Sequence, residues 1–251
     1  MSTETPAEET FISHLIELRD RLVKASIGIL IATAALMFWP GPAHIYDLLA
    51  QPMIAALPVG SKMIATGVIA PFLVPMKVTL LLGFVLALPW VLYQMWAFVA
   101  PGLYTHEKRL VAPLVVSSSM LFVAGVAFCY FLVFGRVFAF ISEFSPTSIA
   151  VTPDIENYLD FVMSMCLAFG AAFEVPVVVV ILVRMGIVSL AKLKEWRPYV
   201  IVGAFVIAAI VTPPDIVSQF SLAIPMWLLF EVGLLVSPMF VKMTQAPEEQ
   251  V

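Results

Sequence analysis

Charge is scarce in this sequence. Of 251 residues, 12% are Asp, Glu, Lys or Arg and 62% are hydrophobic. A soluble domain is about one quarter charged and about half apolar. With a mean hydropathy of +1.04, the deficit excludes a large soluble core and marks an integral membrane protein. The net charge of -4 is small and spread over loops, so it offers no basic face to nucleic acid. There are only two cysteines, Cys129 and Cys166, both inside apolar runs. That excludes a CxxC or Cys/His metal spacing and gives no disulfide framework; both read as small buried hydrophobes. The three histidines, His14, His44 and His106, lie in loops or at membrane edges. A haem inside a helical bundle needs axial ligands within its spans, and a Ser–His intramembrane protease needs histidine at depth. No GxSxG, HExxH or P-loop is present. Nothing points to an enzyme, a metal or a cofactor.

What is present is apolar length. Charges and prolines divide the chain into six stretches: 25–39, 78–100, 110–135, 161–183, 198–211 and 218–236. A spanning helix needs ~20 residues. The fifth is short, because only seventeen uncharged residues, 198–214, separate Arg197 from Asp215. Seventeen residues at ~1.5 Å each cover about 25 Å, less than the ~30 Å hydrocarbon core. The sixth also reads as short. The expectation is an all-α integral membrane protein with six transmembrane helices. Residues 1–24 form an N-terminal segment, 25–236 the membrane domain and 237–251 a tail.

Basic residues set the orientation. With the N-terminus inside, the inner segments hold Arg19, Arg21, Lys24, Lys108, Arg109, Arg184, Lys192, Lys194, Arg197 and Lys242. The outer segments hold Lys62, Lys77 and Arg136, so the tally is ten against three. An even number of spans returns the C-terminus to the cytoplasm. The first outer loop, 40–77, carries six prolines and reads as a stiff, partly helical cap. The second runs from 136 to 160. The third, opening TPPD at 212–215, is a tight reversal, since Pro-Pro cannot continue a helix.

Two acidic residues sit inside apolar spans. Glu174 interrupts CLAFGAAFEVPVVVVILV, residues 166–183, and Pro176 follows it. It falls near the middle of its span. A central acidic residue costs about 2.5–3.5 kcal/mol on insertion scales. Water access along a concave face, or protonation, would reduce that cost. Pro176 lacks the N–H that would bond the Ala172 carbonyl, so a kinked, locally polar groove accounts for both residues. A carboxyl hydrogen-bonded within the bundle is the plainer alternative. Glu231, in LLFEVG, lies nearer the cytoplasmic end of the last span, within snorkelling reach.

The inner face carries a pattern. In TFISHLIELRDRLVK, residues 10–24, Phe11, Leu15, Leu18 and Leu22 recur at helical spacing. This predicts an amphipathic helix lying along the membrane surface before the first span. Glu17 sits four residues before Arg21, a favourable ion-pair spacing. In WAFVAPGLYTHEKRL, residues 96–110, Trp96, Phe98 and Tyr104 form an interfacial belt. Pro101-Gly102 ends the second span, and Glu107 opens the third, where the helix dipole favours a carboxylate. Two acidic residues on a basic face could instead receive a basic ligand.

The stretches HLIELRDRL, MIATGVIAPF, YQMWAFVAPGLYTHEKR, FGAAFEVPV, RPYVIVGAF and TPPDIVSQ, in this order, resemble the TatC family. These are the multi-span receptors of the twin-arginine protein translocase. The resemblance runs from about residue 14 to residue 236. It implies a cupped-hand, concave bundle in the bacterial cytoplasmic membrane that binds twin-arginine signal peptides of folded precursors at its cytoplasmic face. It implies TatA-like and TatB-like single-span partners, and self-association into a receptor complex. By this resemblance Glu17 and Glu107 match signal-binding carboxylates. Phe98 and Arg19 match functional positions beside them. Pro52 matches a functional position of the first outer loop, Glu174 the intramembrane glutamate, Asp215 an outer acidic residue and Gln219 a partner-contacting polar position. The competing class is a proton-coupled secondary transporter with Glu174 as carrier and Glu231 as a second site. Such a transporter would show a repeat with paired broken helices, and no repeat is visible.

Overall fold

The computed structural model describes residues 6–57, 62–99, 111–144, 152–212 and 215–241. Among these the chain is helical, with a single isolated bridge between Ile64 and Asp154 and no strand. The helices are α1 (Pro6–Phe38), α2 (Pro42–Ala56), α3 (Ala70–Val99), α4 (Val111–Phe128), α5 (Phe134–Phe144), α6 (Ile155–Phe173), α7 (Val175–Arg184), α8 (Leu190–Glu195), α9 (Arg197–Val211) and α10 (Ile216–Val241). A π-helical turn, Cys129–Val133, joins α4 to α5.

Among the described residues, five stretches are long and apolar enough to cross a bilayer: Ile12–Phe38, Ala70–Phe98, Ala112–Glu143, Ile155–Arg184 and Ile216–Met239. The fifth apolar run read from the sequence is present as α9, a helix of 15 residues, about 22 Å long at ~1.5 Å per residue. The last candidate span, expected to be short, is 24 residues long. It begins at the Asp215 cap, before Ser218, and passes through both Pro225 and Pro238 without ending.

Three expectations are corrected. First, the amphipathic segment does not form a separate surface helix. It is continuous with the first span in the 33 residues of α1, because no proline or glycine stands between Pro6 and Gly28. Second, Lys77 lies inside α3 rather than in a loop, since α3 begins at Ala70. Third, Arg136 lies inside α5 rather than opening a loop. There Phe134, Val137 and Phe138, at helical spacing, are fully or almost fully buried, and that burial carries the helix past the arginine. The first outer loop contains α2 and is in that part helical. The α1–α2 turn rests on Gly41, whose φ of +93 favours glycine. Its N–H bonds the Leu36 carbonyl at 3.1 Å, and Pro42 opens α2, where its missing N–H costs nothing.

The chain divides into two compact units, residues 1–45 with 76–119, and residues 46–75 with 120–251. In the first, α1 meets α3 through small residues. Trp90 lies over Gly28, and Thr33 over Gly83, so close that a Cβ at either glycine would collide with its neighbour. The Trp90 indole N–H donates to the Lys24 carbonyl at 2.9 Å. Small residues that admit close helix approach are the usual adhesive of membrane helices. In the second unit Gly125 of α4 lies against the Phe169 backbone of α6, and Phe122 lies over Gly170. Phe134, Phe138, Phe169 and Met165 are fully or almost fully buried there. Helix α10 packs chiefly on α7 and α9, around Val179, Leu193, Phe230 and Leu234.

Asp154 ties residue 66 to the start of α6. Its carboxylate accepts from the Thr66 N–H (3.0 Å) and hydroxyl (2.7 Å), and from the N–H groups of Glu156 (3.0 Å) and Asn157 (3.1 Å). The Thr66 hydroxyl bond first, then the backbone bonds, hold its pKa below the ordinary carboxylate value. A lowered folded value means that the stabilisation is complete above the ordinary Asp value of about 3.9 and is lost as pH falls through the folded value. Asp154→Asn should therefore lower the melting temperature at neutral pH and flatten the fall in stability as pH drops below about 4. Thermal unfolding of both proteins across that range, in one detergent, checks this; an equally steep acid fall in the variant would contradict it.

Candidate functional site

At the Glu17 end of the first unit, α1 and α3 bring together part of the carboxylate site anticipated from sequence. Glu17 is half-buried while most of its neighbours on α1 are exposed. Arg21 donates to it from Nε at 2.9 Å and from Nη2 at 2.6 Å. Both bonds end on Oε1, so Arg21 does not occupy Oε2. The i,i+4 pair anticipated from spacing is thus formed, and the carboxylate is already holding a guanidinium. Arg19 turns to Asp20 instead, at 2.7 Å, with its side chain 71% exposed. Phe98, at the end of the α3 span, stacks on His14 of α1, with ring centroids 4.4 Å apart and planes inclined by 22°. His14 lies three residues before Glu17, on the same helix face. Sequence reasoning placed His14 only in a loop or at a membrane edge; its three-residue spacing from Glu17 was the available signal. Glu107, with Pro101, Gly102, Tyr104 and His106, lies outside the described residues.

Pro52 sits inside α2. Having no N–H, it cannot bond the carbonyl of Leu48, four residues earlier. The Tyr130 hydroxyl donates to that carbonyl at 2.5 Å. The Tyr158 hydroxyl donates to the next carbonyl, of Leu49, at 2.8 Å. The Ser142 hydroxyl serves the carbonyl of Ala56, the last residue of α2, at 3.1 Å. A helix end leaves carbonyls such as that of Ala56 without partners, so α2 is pinned to the π-turn, α5 and α6 by hydroxyls, and those on Leu48 and Ala56 sit where its own ladder is open. Neither tyrosine was singled out from sequence. Tyr130→Phe removes the bond to the Leu48 carbonyl, which is exposed, and should destabilise the protein by about 0.5–1.5 kcal/mol. In a Pro52→Ala background the restored Ala N–H can serve that carbonyl, so the same change should cost clearly less. A double-mutant cycle by thermal unfolding measures the difference, and equal costs in the two backgrounds would refute the link.

Glu174 stands at a break. It ends α6 and precedes α7, with Pro176 in the first turn of α7. Its N–H donates to the Ala171 carbonyl at 3.1 Å, while Pro176 has no N–H to offer the Ala172 carbonyl. The interruption expected from Pro176 is therefore a junction of two helices. Within Ile155–Arg184, Glu174 lies nineteen residues from the first end and ten from the second. That is off-centre, not at the middle, because the span starts six residues earlier than the apolar run suggested. Glu231 does not stand alone: Arg197, the first residue of α9, donates to it from Nη2 at 2.6 Å. Asp215 caps α10, accepting the Ser218 N–H at 2.7 Å. Its position just before an apolar run was a cap signal the sequence offered. Gln219 is half-buried in the first turn of α10. Pro213 and Pro214 lie outside the described residues.

Comparison with known proteins gives a single answer. A family model described as "Sec-independent protein translocase protein (TatC)" matches residues 13–225. The Sec-independent protein translocase protein TatC of Azotobacter chroococcum is 51% identical over 223 residues, covering 89% of this chain and 87% of that protein. The protein of the same name from Escherichia coli K12 is 48% identical over 241 residues, covering 96% and 93%. A crystal structure of the twin arginine translocase receptor TatC superposes with a TM-score of 0.77 at 36% identity, covering 90% of this chain and 98% of that one. A second, determined in DDM, gives 0.78 at 34%, covering 89% and 99%.

Proposed function

This chain belongs to the TatC family, and from that premise we propose that it is the receptor that binds twin-arginine signal peptides through Glu17 and Glu107 at the cytoplasmic face. As a family member it is a multi-pass bacterial inner-membrane component of Sec-independent protein translocation. The proton-coupled transporter reading finds no support among its relatives. The finer reading has six spans with both termini in the cytoplasm, TatA-like and TatB-like single-span partners, and self-association into a receptor complex. Phe98 and Arg19 stand beside the carboxylates, and Gln219 faces a partner.

The observation that carries this reading is the guanidinium already seated on Glu17, that of Arg21, at 2.6 Å. A carboxylate that accepts one arginine on Oε1 retains Oε2 for another, and an ionised carboxylate has about four acceptor positions. Arginine stays charged and presents a rigid fork of donors that matches a carboxylate. Lysine keeps the charge and loses the fork. Two carboxylates meet two consecutive arginines. Beside Glu17 the His14–Phe98 stack offers a flat surface on which a guanidinium can lie.

The test is co-purification of a folded precursor with the protein at fixed salt. A precursor with its twin arginines intact should be retained, and one carrying two lysines should be retained poorly. Equal retention of the two would remove the basis of the reading.

A further inference from the structure

His14, Glu17, Arg21, Lys24, Gly28 and Ile31 follow one another along α1 at steps of three and four residues, so they share one face. The polar end of this stripe is the Glu17 site. Its apolar end is a groove of about 320 Å³ lined by Lys24, Ile27, Gly28, Ile31 and Trp90. The groove depends on Gly28, because the Trp90 indole occupies the space a side chain would take. The indole is held by its bond to the Lys24 carbonyl at 2.9 Å and stacks with Tyr93 at 5.9 Å. Ile27 and Ile31 are left 49% and 66% exposed along it. Trp and Tyr are enriched at headgroup level, and here the indole N–H is bonded to the backbone of Lys24, the residue just before the apolar run 25–39. Lys24 marks the same level, being the last Lys, Arg, Asp or Glu before Asp47. Arg19 is engaged by Asp20 and Arg21 by Glu17, whereas Lys24 makes no ion pair with a described residue.

We propose that this groove binds an anionic phospholipid, its phosphodiester paired with the Lys24 ammonium and the first part of an acyl chain lying along Ile27, Gly28 and Ile31 against Trp90. The occupant must be apolar for two helical turns and carry negative charge at the Lys24 end. A twin-arginine signal fails the second requirement, since it would set like charges together at Lys24. A lipid meets both, and basic grooves between membrane helices are a recurrent form of headgroup site. The groove lining does not include Glu17, and the proposal does not depend on the role of either carboxylate.

The test reconstitutes the full chain in vesicles of phosphatidylcholine and phosphatidylglycerol, with a photoactivatable acyl chain on one lipid or the other. Labelled residues are mapped by mass spectrometry. Phosphatidylglycerol should label residues 24–31 and Trp90 about fivefold more than phosphatidylcholine. That is the worth of one basic residue at an anionic surface, about 1 kcal/mol. Lys24→Gln should abolish the preference and Lys24→Arg should keep it; Lys24 is exposed, so neither change disturbs packing. Soluble glycerol phosphate should not compete. Equal labelling by the two lipids, a preference that survives Lys24→Gln, or displacement by glycerol phosphate would overturn the proposal. So would a twin-arginine peptide that labels the groove itself and expels the lipid, which would assign the groove to the signal.

Discussion

Glu17→Ala and Glu107→Ala should each weaken binding of a twin-arginine signal by roughly ten- to a hundredfold, and the double variant should leave no measurable specific binding. A hydrogen bond to a charged group is worth about 1.5–3 kcal/mol net, and ~1.4 kcal/mol is a factor of ten. Glu17 has its side chain 37% exposed, so salt screens part of its contribution and the lower figure suits it better. Glu17→Ala also releases Arg21, which adds an uncompensated cation where the signal brings two more. Glu17→Gln separates the effects, because it keeps one acceptor oxygen and loses the charge. Its binding should fall between the parent and the alanine variant. The measurement is precursor affinity in detergent at one salt concentration, with membrane insertion of each variant verified. Parent-like affinity of the double variant would leave Glu17 as an ordinary helical ion pair with Arg21.

Glu174 should matter as a polar group rather than as a charge. It stands where α6 stops and α7 starts, and its backbone N–H donates to the carbonyl of Ala171. That backbone bond survives any substitution except proline, so a side-chain variant tests the side chain alone. Glu174→Gln should keep most transport. Glu174→Leu should lower it by about three- to tenfold, the worth of one net hydrogen bond of roughly 0.5–1.5 kcal/mol, while insertion of the chain is unimpaired. Transport of a folded reporter into inverted vesicles, normalised to membrane-inserted protein, gives the comparison. Equal damage by Gln and Leu would mean that ionisation is required. Damage by neither would make the residue structural.

Apolar length and the prolines made the spans legible, and the misjudged places have physical causes. The boundary drawn at residue 24 followed a change from amphipathic to uniformly apolar pattern. A helix does not stop for such a change when no residue breaks it, so α1 runs from Pro6 to Phe38. Lys77 and Arg136 read as loop residues because charge is the usual end of a span. Both lie in helices whose other residues make the burial, Val74 and Val78 around the first, Val137 and Phe138 beside the second. The last span was drawn from 218 to 236, stopping short of Pro238, yet α10 runs through Pro238 to Val241. The candidate site was legible in residue types and less so in pairings. The Glu17–Arg21 bond follows from a spacing of four. The pairs His14–Phe98, Arg197–Glu231 and Tyr130–Leu48 join positions 84, 34 and 82 residues apart, which no local pattern encodes. Asp215 was noticed for its charge, while its immediate task is to cap α10.

The most direct test places a photo-crosslinking residue in the precursor signal next to its two arginines. If Glu17 and Glu107 receive those arginines, the crosslinks should fall on α1 around Glu17, on the Phe98 end of α3 and on the segment holding Glu107. They should disappear when the arginines become lysines, or when Glu17 and Glu107 become alanine. Crosslinks that map instead to α7 or α10, and persist unchanged in the double-alanine variant, would contradict it.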